Sequence, residues 1–160
     1  MTALRLLVMR HGPAEDQSST GRDFDRRLSE SGRQRVHRVA AELSAHGEAP
    51  ARIVSSPLVR AKETAEIVRS ALGIAAPIEE DDDLVPGGPA LRVVRELQER
   101  GVKSALLVSH EPTTSHLAAQ LLPGFGRSFE TAMVLGLELS AQKAKRCFLL
   151  EPSTMTWKLG

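Results

Sequence analysis

The sequence predicts an α/β fold, a three-layer sandwich in which a mostly parallel central sheet carries helices on both faces. Two observations lead there. Apolar runs of strand length alternate along the chain with segments of helical periodicity, the pattern that builds parallel sheets covered on both sides. The 160 residues, 41% hydrophobic and 26% charged, supply enough apolar surface for the core of one domain.

Residues 4–9 form the first strand, a short apolar run stopped by Arg10-His11-Gly12. Residues 13–28 are polar and without periodicity, a long loop of the kind that often carries function. Ser29 suits a helix N-cap with Glu30 in the first turn. Val36, Val39, Ala40 and Leu43 then repeat at helical spacing until Gly47. Residues 52–55 are a short strand followed by Ser56-Pro57, with Ser56 as N-cap and Pro57 at the first position of a second helix. That helix buries Ala61, Thr64, Ala65, Val68 and Leu72 and ends at Gly73.

Residues 76–80 suggest a short strand and 81–88 an acidic loop. Leu91, Val94 and Leu97 mark a helix ending at Gly101. Residues 104–109 are the clearest later strand and run into His110-Glu111-Pro112. A helix follows with Leu117, Ala118, Leu121 and Leu122 inward. Residues 133–139 and 146–150 read as strands joined by a polar turn around Gln142, an antiparallel hairpin at or near a sheet edge. Residues 155–159 are a weak last element.

The bulk properties narrow the function. A net charge of +1 argues against a general nucleic-acid binder. Arg22, Arg26, Arg27, Arg33, Arg35 and Arg38 crowd one third of the chain; a solvated surface accounts for them, and a basic rim for an acidic or phosphorylated partner is the functional alternative. Cys147 is the single cysteine, so no internal disulfide forms and a zinc cluster is not expected; its apolar neighbours place it in the core. The N-terminal apolar stretch is too short to span a membrane and lacks a signal-peptide pattern. The expectation is a cytoplasmic protein with one domain over residues 1–160, no cap domain and no nucleic-acid or membrane partner.

The chemistry gathers at strand ends. In an open α/β sheet the carboxyl ends of parallel strands line the ligand crevice. Arg10-His11-Gly12, Ser56-Pro57-Leu58-Val59-Arg60 and Ser109-His110-Glu111 each follow a predicted strand. If those strands are parallel neighbours, Arg10, His11, Arg60 and His110 meet. Two arginines and two histidines suit a tetrahedral dianion, because the guanidinium fork matches phosphate oxygens. Ser56 either adds a local contact or serves only as a cap.

Met9-Arg10-His11-Gly12, Ser55-Ser56-Pro57-Leu58-Val59-Arg60-Ala61 and Ser109-His110-Glu111-Pro112 resemble the three signatures of the histidine phosphatase superfamily, the phosphoglycerate mutase-like proteins. Arg27-Leu28-Ser29-Glu30-Ser31-Gly32 resembles the segment that opens the family's first long helix. The short length, and motif spacing that leaves little room for a cap, are similar to the SixA-type phosphohistidine phosphatases. The resemblance implies His11 as nucleophile, Arg10, Arg60 and His110 as phosphoryl ligands, Ser56 beside them, and no metal or other cofactor. It also implies a phosphorylated protein substrate, such as a histidine-phosphotransfer domain.

One position departs from the family. Many members carry a glutamate proton donor two residues beyond a leucine after the third strand; here that position is Pro86. Asp83 and Glu15 are the candidate replacements, with Asp82 and Glu111 behind them. A missing donor disfavours alkyl esters, whose alkoxide leaves poorly, and favours phosphohistidine, which leaves as a neutral imidazole. The rival readings are a phosphomonoesterase for small metabolites, a phosphoprotein-binding module without turnover, and a metal site using His11 and His110, which the two arginines disfavour. His37 and His46 are read as structural. His116, close after the third motif, is a minor site candidate.

Overall fold

The computed structural model describes residues 3–160. Seven strands and four α-helices follow one another as β1 (Leu4–Arg10), α1 (Glu30–Ala45), β2 (Arg52–Ser55), α2 (Val59–Leu72), β3 (Glu79–Glu80), α3 (Ala90–Glu99), β4 (Ser104–Ser109), α4 (Thr113–Leu121), β5 (Val134–Leu139), β6 (Ala144–Glu151) and β7 (Thr156–Leu159). Short 3₁₀ turns at Asp23–Asp25 and Asp82–Leu84 interrupt two of the loops.

The strands form one sheet in the order β3-β2-β4-β1-β5-β6-β7. Pairings from β3 to β1 are parallel and those from β1 to β7 antiparallel, so the sheet is mixed rather than mostly parallel. The physical reason lies in the connections. Helical crossovers keep the first four strands parallel, the connection through α4 and residues 122–133 returns β5 antiparallel to β1, and the polar turn at 140–143, too short for a crossover, reverses the chain again into β6. The expected hairpin is therefore β5–β6, and residues 156–159 add the edge strand beyond it.

Period-two alternation sends β1 side chains to both faces. Leu4, Leu6 and Val8 join α3 and α4 in one core, with Val93, Val94, Leu97, Leu117 and Leu121. Leu7 and Met9 join α1 and α2 in the other, with Val36, Val39, Leu43, Ala65 and Val68. Helices thus cover both faces, as the alternating pattern predicts.

Several local expectations move by a residue or two. Ser29 caps α1, its Oγ accepting from the Gly32 amide at 3.0 Å. Helix α2 begins only at Val59, because Leu58 is extended and the Ser56 hydroxyl accepts from the Leu58 amide at 3.2 Å. Pro57 therefore precedes the helix, and Ser56 closes a turn instead of capping it. The 76–80 strand shrinks to Glu79–Glu80. Cys147 is half-buried and only borders the core.

The 13–28 loop is held by its own backbone. Ala14 bridges Leu28, the Glu15 amide donates to Arg27 O at 2.8 Å, and Glu63 on α2 accepts from the Leu28 amide at 2.8 Å. The start of α1 presses on the segment after β1. A Cβ at Gly32 would lie 1.9 Å from Pro13 O, and one at Gly12 would lie 2.4 Å from Val36 Cγ2. Both glycines are required by close approach rather than by backbone conformation.

Candidate active site

Strands β2, β4 and β1 are adjacent and parallel, with Arg10 opposite Ser109 and Ser55 opposite Val108. The ladder continues past the strand ends, since the His11 amide donates to Ser109 O and the Ser56 amide to Val108 O, each at 3.0 Å. Sheet register thus brings the three motifs to one edge. His11 is 6% exposed, Arg60 4% and His110 1%.

His11 has a defined tautomer. Its Nδ1 lies 2.7 Å from Gly12 O, and a carbonyl can only accept, so Nδ1 carries the proton and Nε2 the lone pair. Arg60 Nε donates to that Nε2 at 3.3 Å. Burial, with the neighbouring arginines adding to it, pushes the His11 pKa from an ordinary 6.5 down to about 4. The imidazole is neutral at pH 7 and its free nitrogen faces a guanidinium.

The His110 ring lies 4.9 Å from that of His11, centroid to centroid. Its Nε2 meets the Ser56 hydroxyl at 2.7 Å, while Nδ1 is buried with no protein partner. Ser56 Oγ also accepts from the Leu58 amide; with the Ser56 proton turned to His110 Nε2, the ring carries its own proton on Nδ1. Burial first, then competition with the His11 ring for a proton and the charge of Arg60, lower the His110 pKa to about 3.

Arg10 donates from Nη1 to Phe129 O at 2.7 Å, and its Nε is buried and unpartnered. Main-chain bonds from Ala132 to Arg10 O and His11 O, at 3.1 and 2.9 Å, tie this segment to the end of β1. Buried polar atoms without partners are rare and call for a reason. Among the described residues, four side-chain atoms are in this position, and two of them, Arg10 Nε and His110 Nδ1, belong to this pocket. Both suit an incoming anion.

The candidate proton donors go elsewhere. Asp83 is bonded to Arg92, which also holds Asp81. Glu15 is exposed, and its backbone is paired with Arg26 and Arg27. Glu111 caps α4 through Thr114 and Ser115, and Asp82 is exposed. His37 and His116 are exposed on their helices. Thr64, seen in the sequence only as part of a buried stripe, accepts from the Gly12 amide at 3.0 Å and donates to Arg60 O at 2.8 Å, linking the two motifs. The residue that sequence reasoning missed is Asp23, whose backbone oxygen and carboxylate both accept from Arg60. Among the described residues, no three or more His, Cys, Asp or Glu side chains are grouped to hold a metal ion.

An α/β fold with two neutral histidines and two arginines at parallel strand ends defines a phosphoryl-handling enzyme. Comparison with known proteins agrees. The profile of the histidine phosphatase superfamily (branch 1) matches residues 6–85. The phosphohistidine phosphatase SixA of Escherichia coli is 32% identical over 124 residues, 76% of each chain. The SixA homolog of Haemophilus influenzae is 32% identical over 128 residues, 74% of this chain and 77% of its own. The structure of the protein histidine phosphatase SixA complexed with tungstate superposes with a TM-score of 0.85 at 27% identity, covering 95% of this chain and 99% of that one. The chain belongs to the histidine phosphatase superfamily and is SixA-like.

Proposed function

We propose that the protein is a phosphohistidine phosphatase that works through a covalent phosphohistidine on His11 and acts on a phosphorylated protein, such as a histidine-phosphotransfer domain. The observation that carries this reading is the fixed His11 tautomer, which turns a neutral Nε2 toward Arg60 beside two unpartnered buried nitrogens, Arg10 Nε and His110 Nδ1.

His11 Nε2 attacks phosphorus in line, forming one P–N bond as the bond to the substrate imidazole breaks and its electron pair stays on the leaving nitrogen. Arg10 Nε, the Arg60 guanidinium and His110 Nδ1 hold the equatorial oxygens; Ser56 holds the far nitrogen of His110. Water then attacks phosphorus, the bond to His11 breaks, and the proton of the water is released with phosphate. Splitting one displacement into two is the gain from covalent catalysis, and the rest is positioning and charge stabilisation.

Substrate choice follows from the leaving group. Asp83 and Glu111 are engaged by Arg92 and by α4. An imidazole with its other nitrogen protonated leaves as a neutral molecule and needs little help. The likeness to the protein histidine phosphatase SixA supports a phosphohistidine carried on another protein. A single domain without a cap and a cytoplasmic location belong to the same reading. No helix among the described residues is long and apolar enough to cross a membrane.

The test is to incubate the protein with a phosphorylated histidine-phosphotransfer domain and with a small phosphate ester, with and without chelator, and to measure phosphate release. Release from the protein that resists chelator and falls at least about a thousandfold in His11→Ala is the expected result. Turnover of the ester alone would overturn the protein substrate, and binding without turnover would make the protein a phosphoprotein-binding module.

A further inference from the structure

Arg60 has more partners than a phosphoryl ligand needs. Its guanidinium offers five N–H groups, four of them paired along two edges. The side edge, Nε with one proton of Nη2, faces His11, where Nε lies 3.3 Å from Nε2. The end edge, Nη1 with the other proton of Nη2, is gripped by a single residue. Asp23 O accepts from Nη1 at 2.9 Å and Asp23 Oδ2 from Nη2 at 3.1 Å.

Asp23 is itself held. Arg26 Nε donates to Asp23 Oδ1 at 2.8 Å, and Arg26 Nη1 donates to Glu15 O at 2.9 Å. The contact sits in the 3₁₀ turn Asp23–Asp25, with an Asp23 side chain that is 63% exposed against 5% for Arg60. An exposed carboxylate thus reaches inward to a buried guanidinium and is steadied from outside by a second arginine. Arg26 first, and Arg60 with it, keep the Asp23 carboxyl below its usual range, so it is ionised at neutral pH.

We propose that Asp23 is a positioning residue for phosphoryl transfer: by clamping the end edge of Arg60, it presents the side edge to the phosphoryl group at His11. The proposal rests on the reading of Arg60 as a phosphoryl ligand. Without the clamp the guanidinium rotates about its long side chain, and two hydrogen bonds to the transferring group have to be formed at an entropic cost. Misplacement of a catalytic group by about 1 Å can cost as much as 10²-fold in rate. Asp23 makes its contact with Arg60 rather than with substrate, so kcat is expected to move more than KM.

The test compares Asp23→Ala, Asp23→Asn and Asp25→Ala, with Arg60→Ala as a second background, using release of phosphate from a phosphorylated histidine-phosphotransfer domain and a melting temperature for each variant. Asp25 is the control, since it lies in the same turn and accepts from Thr20. The expected result is a loss of roughly tenfold or more in kcat for Asp23→Ala with KM nearly unchanged. Most of it returns in Asp23→Asn, which keeps an acceptor for Nη2, and Asp25→Ala shows no such loss. In the Arg60→Ala background Asp23→Ala should cost nothing further, because the two act as one unit. Wild-type kcat in Asp23→Ala, a loss confined to KM, or a full additional loss in the Arg60→Ala background would overturn the proposal. Wild-type turnover in Arg60→Ala would instead remove the reading of Arg60 on which it stands.

Discussion

Arg5 and Arg10 stand at opposite ends of β1, and their surroundings differ in kind. Arg5 donates from Nε and Nη2 to the two oxygens of buried Glu48, at 3.2 and 2.7 Å, and from Nη1 to Glu138 at 3.3 Å. Its pKa is raised, chiefly by the bond to Glu48. Arg10 meets only the Phe129 carbonyl and keeps a buried Nε without a partner. Its pKa is lowered, first by burial, with Arg60 adding to it against the opposing pull of Glu111. The histidines repeat the contrast. His46 lies 3.0 Å from Glu48 and stacks on Trp157 with ring centroids 4.2 Å apart, while His11 faces Arg60. At one end of the sheet the fold neutralises its own cations. At the other it concentrates them without carboxylate partners of equal weight, which favours an anion from outside.

The largest effect that sharpens this contrast comes from removing one arginine at each end. Arg60→Ala should cut kcat by about 10²–10³ and leave the melting temperature nearly unchanged, since one charge-stabilising donor is lost. Arg5→Ala should leave kcat alone and cost roughly 1–3 kcal/mol of stability, because Glu48 loses its bidentate partner while buried. Urea titration and steady-state kinetics on both variants read the two columns. Loss of turnover in Arg5→Ala with unchanged stability would break the comparison.

A smaller effect lies in pH. His11 and His110 have pKa values of about 4 and about 3, against 6.5 when unperturbed. Depressed folded-state values mean that the unfolded chain binds more protons. Their contribution to stability is complete above about pH 6.5 and is lost as pH falls from there toward 4 and then 3. Single-turnover rates should accordingly hold until His11 titrates near pH 4. An acid limb at the ordinary histidine pKa would show that His11 is not desolvated. The smallest effect is Ser29→Ala, which removes the cap of α1 and should cost about 1 kcal/mol with kcat intact.

What could be read from the sequence depended on whether a feature was local. Apolar runs that stop on Arg10-His11-Gly12 and His110-Glu111 carry their strand ends within a few residues, so β1 and β4 were legible. Ser29 was legible as a cap because its bond to Gly32 spans only that first turn. Strand order was not, because pairing of β2 with β4 and β4 with β1 joins residues far apart in the chain. The start of α2 moved to Val59 because Ser56 spends its hydroxyl on Leu58 and His110, a choice set by a residue 54 positions away. Asp23 was illegible for the same reason. It is an exposed aspartate in an aperiodic loop, and only the fold brings it to Arg60.

The partners that aim the pocket are largely main-chain oxygens: Gly12 O for His11, Phe129 O for Arg10 and Asp23 O for Arg60. An oxygen of the peptide unit survives every amino-acid replacement at its own position. The orientation of His11 and Arg10 is therefore buffered against replacement of Phe129 or Gly12 as hydrogen-bond partners and exposed instead to insertions and deletions, which reroute the chain, whereas Arg60 also depends on the Asp23 carboxylate. Outside the buried Phe129 ring, drift in residue identity around 125–131 should be tolerated where a change of one residue in the length of that segment is not. Related enzymes could then retain the aim of these groups while sharing few of the residues that surround them.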